Sequence, residues 1–156
     1  MKPQNNKTTA FSLVEVTLAL GVAAVSLLVI FSLLPIGLQT NQRSLEQTAS
    51  VDILSSVVAD LRATAHRAST STQFAISIPA NPVTISTKLP PLFFNATGGL
   101  VSSADDARYR LTVTFLNNGG AAKTATFANL KVSWPASATV ANAQGSAEVF
   151  AAFDRN

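Results

Sequence analysis

The stretch KTTAFSLVEVTLALGVAAVSLLVIF, Lys7 to Phe31, decides how the rest of the sequence is read. From Val16 to Gln42 no residue is charged, and Leu18 to Leu34 is almost wholly apolar. A helix of this length crosses a hydrocarbon core of ~30 Å. Lys2 and Lys7 precede the run with no acid beside them, which places that end in the cytoplasm and everything after the run outside. Three readings compete. A core helix of a soluble protein does not need such length or such flanking charges. A cleaved secretory signal has an apolar region of ~7–15 residues, free of acid and closed by a small-x-small site. Here the run is longer, contains Glu15 and lacks such a site at its far end. A retained membrane helix meets all three observations.

Outside the run, about 110 of the 156 residues remain, enough for one modest core. The formal charge of +3 comes from eleven basic and eight acidic residues. Without Lys2 and Lys7, nine basic residues face eight acidic ones, scattered singly. No basic stripe is left to grip phosphates, so nucleic acid is not an expected partner. The absence of cysteine removes disulfides and thiolate metal sites, so the head is expected to hold by packing alone.

Glu15 raises a physical question. A charged side chain inside a membrane helix costs ~2.5–3.5 kcal/mol on insertion scales and is normally paired. No lysine or arginine lies three or four residues from it. The nearest cation would be a new α-amino group, produced by a cut between Ala10 and Phe11. Glu15 would then be the fifth residue of the mature chain, one helical turn from that amine in its own subunit or in contact with a neighbour's.

In "TAFSLVEVTLAL" the chain resembles the N-terminal signal and helix of type IV pilins and type II secretion pseudopilins. In that family a short basic leader ends in a small residue, usually Gly, and is followed by Phe and by an apolar run with Glu at the fifth mature position. The resemblance covers about 25 residues and implies particular roles. Ala10, standing where the family usually has Gly, would end the leader, and prepilin peptidase would cut between it and Phe11. Phe11 would become the N-methylated terminus and Glu15 the assembly carboxylate. The order of segments would be a leader over 1–10, a membrane and assembly helix over 11–38, and a head over 39–156. The ending "LKVSWP…AEVFAAFDR" also looks like the smaller subunits grouped as minor pilins and minor pseudopilins.

Pro35 and Gly37 predict a kink or short break at the end of the apolar run. Helical periodicity then resumes over 41–67. Leu45, Ala49, Ile53, Leu54, Val57, Val58, Leu61 and Ala65 recur at three- and four-residue steps, as on a helix with one face on a sheet. After the polar "ASTSTQ" loop, short strands are expected at Phe74–Ile78, Val83–Thr87 and "LFFN", the first two forming a pair around "PANP". Clear alternation marks "YRLTVTF", then the "NNGG" turn, "LKVSW", and a last strand over Ala147–Phe153. The expected fold class is therefore α+β, with a long N-terminal helix on an antiparallel sheet over 74–153. The pilin resemblance implies the same architecture.

The residues offer little chemistry. His66 reads as a solvated helix-end residue that favours the local dipole, and without thiolates a lone histidine makes a zinc or iron site improbable. Gly98-Gly99 and Gly119-Gly120 read as turns, not phosphate loops. Asp105 and Asp106 in "SSADDAR" are two carboxylates where calcium wants six or more oxygens, so a solvated loop is expected. "NAT" at Asn95 fits a glycosylation acceptor pattern, a short motif with a high chance rate. Phe93, Phe94 and Trp134 are expected in the core.

No enzyme and no cofactor is expected. The reading is a structural subunit of a pilus or pseudopilus-like filament. Its partners would be other pilin-like subunits, the peptidase and inner-membrane lipid, with the N-terminus cytoplasmic and the head periplasmic. The rival is a single-pass anchored binding module that keeps Met1 to Ala10 and forms no filament.

Overall fold

The computed structural model describes residues 11–119 and 125–154. Among the described residues one α-helix, α1 (Leu13–Ala63), is followed by six strands: β1 (Thr87–Lys88), β2 (Leu92–Phe94), β3 (Leu100–Val101), β4 (Tyr109–Leu116), β5 (Thr126–Trp134) and β6 (Gly145–Phe153), with a short 3-10 turn at Val140–Asn142 before the last. This is the α+β arrangement expected, an N-terminal helix packed on an antiparallel sheet. The chain divides into two compact units between Arg43 and Ser44, so α1 contributes to both.

The helix runs unbroken through Pro35 and Gly37, and the expected break is absent. Proline removes one backbone donor, while the turns on either side keep theirs and carry the helix across.

Within the second unit, α1 buries Ser50, Ile53, Leu54, Val57, Asp60 and Leu61. Leu45 and Ala65, expected in the same stripe, are exposed. Each four-residue step advances the helical face by about 40°, so Leu45 stands roughly 80° away from Ile53. Ala65 lies beyond the helix, which ends at Ala63 and not at 67. For the same reason His66 is three residues past the end and exposed, not on the last turn.

The strand order is β3-β2-β4-β5-β6, and β1 also pairs with β4. β2 lies against Tyr109–Leu111 and β1 against Thr114 and Phe115, so the two take successive stretches of one β4 edge. The β4–β5 and β5–β6 pairs form the body of the sheet, with Leu111 opposite Val132 and Leu130 opposite Val149. On the helix side, Leu111, Val113, Phe115, Leu130, Val132 and Trp134 meet Ile53, Leu54, Val57 and Leu61 in one core. Trp134 stands edge-on to Tyr109 at 6.2 Å between ring centres, and Phe74 to Phe94 at 5.7 Å.

Two expected strands are not strands of the sheet. Phe74, Ile76 and Ile78 are buried in alternation, yet the segment folds back on the residues before it. The Ser71 N–H donates to the Ile76 carbonyl at 2.9 Å, and the Ile78 N–H to the Ser69 carbonyl at 2.8 Å. Ala75 turns the chain there with φ 51°. The cause is Asp60, whose carboxylate accepts the Gln73 N–H at 2.9 Å and the Phe74 N–H at 3.1 Å. Burial pushes the Asp60 carboxyl up, but the Ser71 side chain and the backbone of Gln73, Phe74 and Thr72 outweigh it and hold the group below its ordinary value. From Val83–Thr87 only Thr87 enters a strand, beside β4, so the expected "FAISI"/"VTIST" pair does not form. Phe93 also departs from expectation. It is half-buried with the Arg110 guanidinium 5.5 Å from its ring centre, while Phe94 is buried, because consecutive strand residues face opposite ways.

Candidate membrane and assembly surface on the N-terminal helix

The first unit presents an apolar cylinder. No residue from Phe11 to Leu38 is buried, and its leucines, valines, isoleucines and phenylalanines all face outward. An exposed apolar surface of this extent marks contact with a membrane or with other proteins. The helix is long and apolar enough to cross a bilayer. Its hydroxyls suit that medium because they are satisfied within the helix. Thr17 donates to the Val14 carbonyl at 2.9 Å, Ser26 to Val22 at 2.8 Å, Ser32 to Val29 at 2.7 Å and Thr40 to Ile36 at 2.9 Å. An unpaired hydroxyl in hydrocarbon is costly, and these need no outside partner.

Glu15 sits in the first turn. The Ser12 carbonyl accepts the N–H groups of Glu15 at 3.0 Å and Val16 at 3.1 Å, and the Ser12 hydroxyl accepts that of Val14 at 3.3 Å. Ser12 is therefore the residue that caps α1, and sequence reasoning passed over it. The signal was available: "SLVE" is Ser-x-x-Glu ahead of an apolar run, the spacing of a capping box. A carboxylate at this position also meets the positive end of the helix dipole, which offsets part of the cost of placing it there. Glu15 has no hydrogen-bond or ion-pair partner among the described residues. It lies beside a shallow apolar groove that it lines with Phe11, Val16, Ala19, Leu20 and Ala23. Phe11 is 79% exposed, one turn before Glu15 in sequence, and Ala10 lies outside the described residues. The structure thus brings Phe11 and Glu15 to one end of one helix.

The head's other candidates do not converge. His66 is exposed, as are Asp105 and Asp106. Among the described residues no three histidine, aspartate or glutamate side chains gather as metal ligands. Asn95 begins the β2–β3 turn, its Oδ1 accepting the Thr97 N–H at 3.0 Å, the Thr97 hydroxyl at 2.8 Å and the Gly99 N–H at 2.8 Å. Gly98 takes φ 82° there, which a side chain would resist. Two ion pairs were not foreseen: Arg108, just before β4, binds Glu46 of α1, and Lys131 of β5 lies 3.6 Å from Glu148 of β6.

Comparison with known proteins returned no matching family model, no matching curated protein and no matching solved structure.

Proposed function

We propose that this chain is a pilin-like assembly subunit, held in the bacterial inner membrane by α1 and built from there into a type IV pilus or type II secretion-like filament. The supporting observation is the join of two unlike parts in one chain. A packed α+β head continues an exposed apolar helix that carries one carboxylate in its first turn. Lipid tails are as apolar as leucine, so the apolar surface by itself gives little preference between bilayer and helix bundle. Glu15 supplies the bias. It is unpaired in lipid and meets an ammonium when the helix packs beside a neighbour whose leader has been removed.

In this reading prepilin peptidase cuts between Ala10 and Phe11, Phe11 is N-methylated, and the cytoplasmic leader leaves the head on the periplasmic side. Intact-mass measurement of the protein extracted from its native membrane tests it. The expected product begins at methylated Phe11. A product that keeps Met1 to Ala10 refutes the reading and leaves the anchored binding module in its place. A soluble product starting far beyond Phe11 refutes both.

A further inference from the structure

Strand β6 is bonded along all nine of its residues to β5 and, among the described residues, to no strand on its other side. Proteins blunt such edges with proline, lysine, bulges or very short strands, because a row of free N–H and C=O groups templates another strand. The sequence GSAEVFAAF has none of these devices. Its one charge, Glu148, is drawn over its own sheet, accepting from Asn129 Nδ2 at 2.5 Å and lying 3.6 Å from Lys131 Nζ. Beside the edge runs a groove whose apolar lining is Val51, Leu54 and Val58 of α1 with Ala147 and Val149, and which Gln47, Ser55 and Arg62 also line. On the opposite face Phe150 is 68% exposed, and Phe127, diagonal to it across the β5–β6 register, is 43% exposed.

We infer that this edge pairs with the β6 edge of a second copy, antiparallel, about a two-fold axis at Val149. The strand is complementary to itself in that register. Gly145 falls opposite the second copy's Phe153, Ala147 opposite its Ala151, and Val149 opposite its counterpart. The apolar inward row of each strand then completes the other copy's groove. Glu148 falls opposite Phe150, not opposite the other Glu148, and each carboxylate keeps its own lysine, so the seam is balanced in charge. The two Phe150 rings become diagonal neighbours on the open face, within aromatic reach. A two-fold contact is closed, which limits the edge to one added strand and prevents runaway pairing. The pairing uses head residues only and does not rest on the filament reading.

The chain has no cysteine, so introduced thiols report without background. The full chain in detergent is made as Ser146→Cys and as Ala152→Cys, and the two are oxidised mildly, separately and mixed. The axis places residue 146 opposite residue 152 of the other copy, at the ~4.5–5.5 Å Cα spacing that a disulfide can bridge. The expected result is a covalent dimer in the mixture, with none from either variant alone. Adding Phe150→Glu to both chains sets a carboxylate directly opposite the other copy's Glu148 and is expected to abolish the cross-link while Trp134 emission stays unchanged. Cross-links from one variant alone, or no cross-link in the mixture, overturn the proposal. So does a cross-link yield that Phe150→Glu leaves unaltered.

Discussion

Removing the Asp60 carboxylate tests the account of why residues 71–78 fold back instead of joining the sheet. The group sits near the end of α1, where the helix dipole disfavours an anion, and it is kept there by the loop it binds. Asp60→Ala deletes the acceptor for the Gln73 and Phe74 N–H groups. Gln73 is exposed and can turn to water, whereas Phe74 is buried and its N–H stays without a partner. A hydrogen bond to a charged acceptor contributes ~1.5–3 kcal/mol, and a stranded buried donor costs ~1–3 kcal/mol. The expected loss is about 2–4 kcal/mol for Asp60→Ala, and roughly half that for Asp60→Asn, which keeps one oxygen.

The sign of the pH dependence follows from the direction of the shift. The native carboxyl titrates below its ordinary 3.8, so its stabilisation is complete above that value and is lost as pH falls through the native value. Urea unfolding of the full chain in detergent, followed by the emission of the single, buried Trp134, measures both effects. Wild type and Asp60→Asn are expected to differ at pH 7 and to converge as pH falls through the native value of the Asp60 carboxyl, below its ordinary 3.8. Equal stability at pH 7, or a gap that does not narrow in acid, would refute the reasoning.

Glu15→Ala is expected to leave the protein stable in the membrane but poorly incorporated into a filament; normal incorporation, scored by shearing and immunoblot, refutes the pairing mechanism. Leu111→Ala empties a fully buried site between α1 and the sheet and is expected to cost about 2–5 kcal/mol in the same urea assay. Gly145→Ala places a β-carbon 2.3 Å from Trp134 Cζ2, so the ring must shift. A loss of about 1–3 kcal/mol with altered Trp134 emission is expected, and an unchanged spectrum would place the indole elsewhere.

Much of the fold was legible because burial imposes a period. Ile53, Leu54, Val57 and Leu61 announced a helix face, and Tyr109 to Phe115 announced a strand with one apolar side. Period is silent about partners. It could not say that Phe74–Ile78 pairs backward while Thr87 joins β4, because both patterns register burial, not the neighbour that supplies it. Nor could it rank Phe93 against Phe94, since alternation requires that one of two adjacent aromatics faces out. The polar residues on the buried helix face were missed for a related reason. Ser50 and Asp60 break a hydrophobic template, and only the loop residues that reach Asp60 reveal why a carboxylate belongs there.

At the N-terminus the balance is reversed. A helix without tertiary contacts is specified by its own residues, so the apolar run, the first-turn acid and the Ser12 cap are all local features of the sequence. In the head, the sequence determined which residues leave water, through their hydrophobicity and spacing. Tertiary structure decided which strands share hydrogen bonds and where the one buried acid finds its donors, because those bonds join residues far apart in the chain and local pattern carries no record of distance.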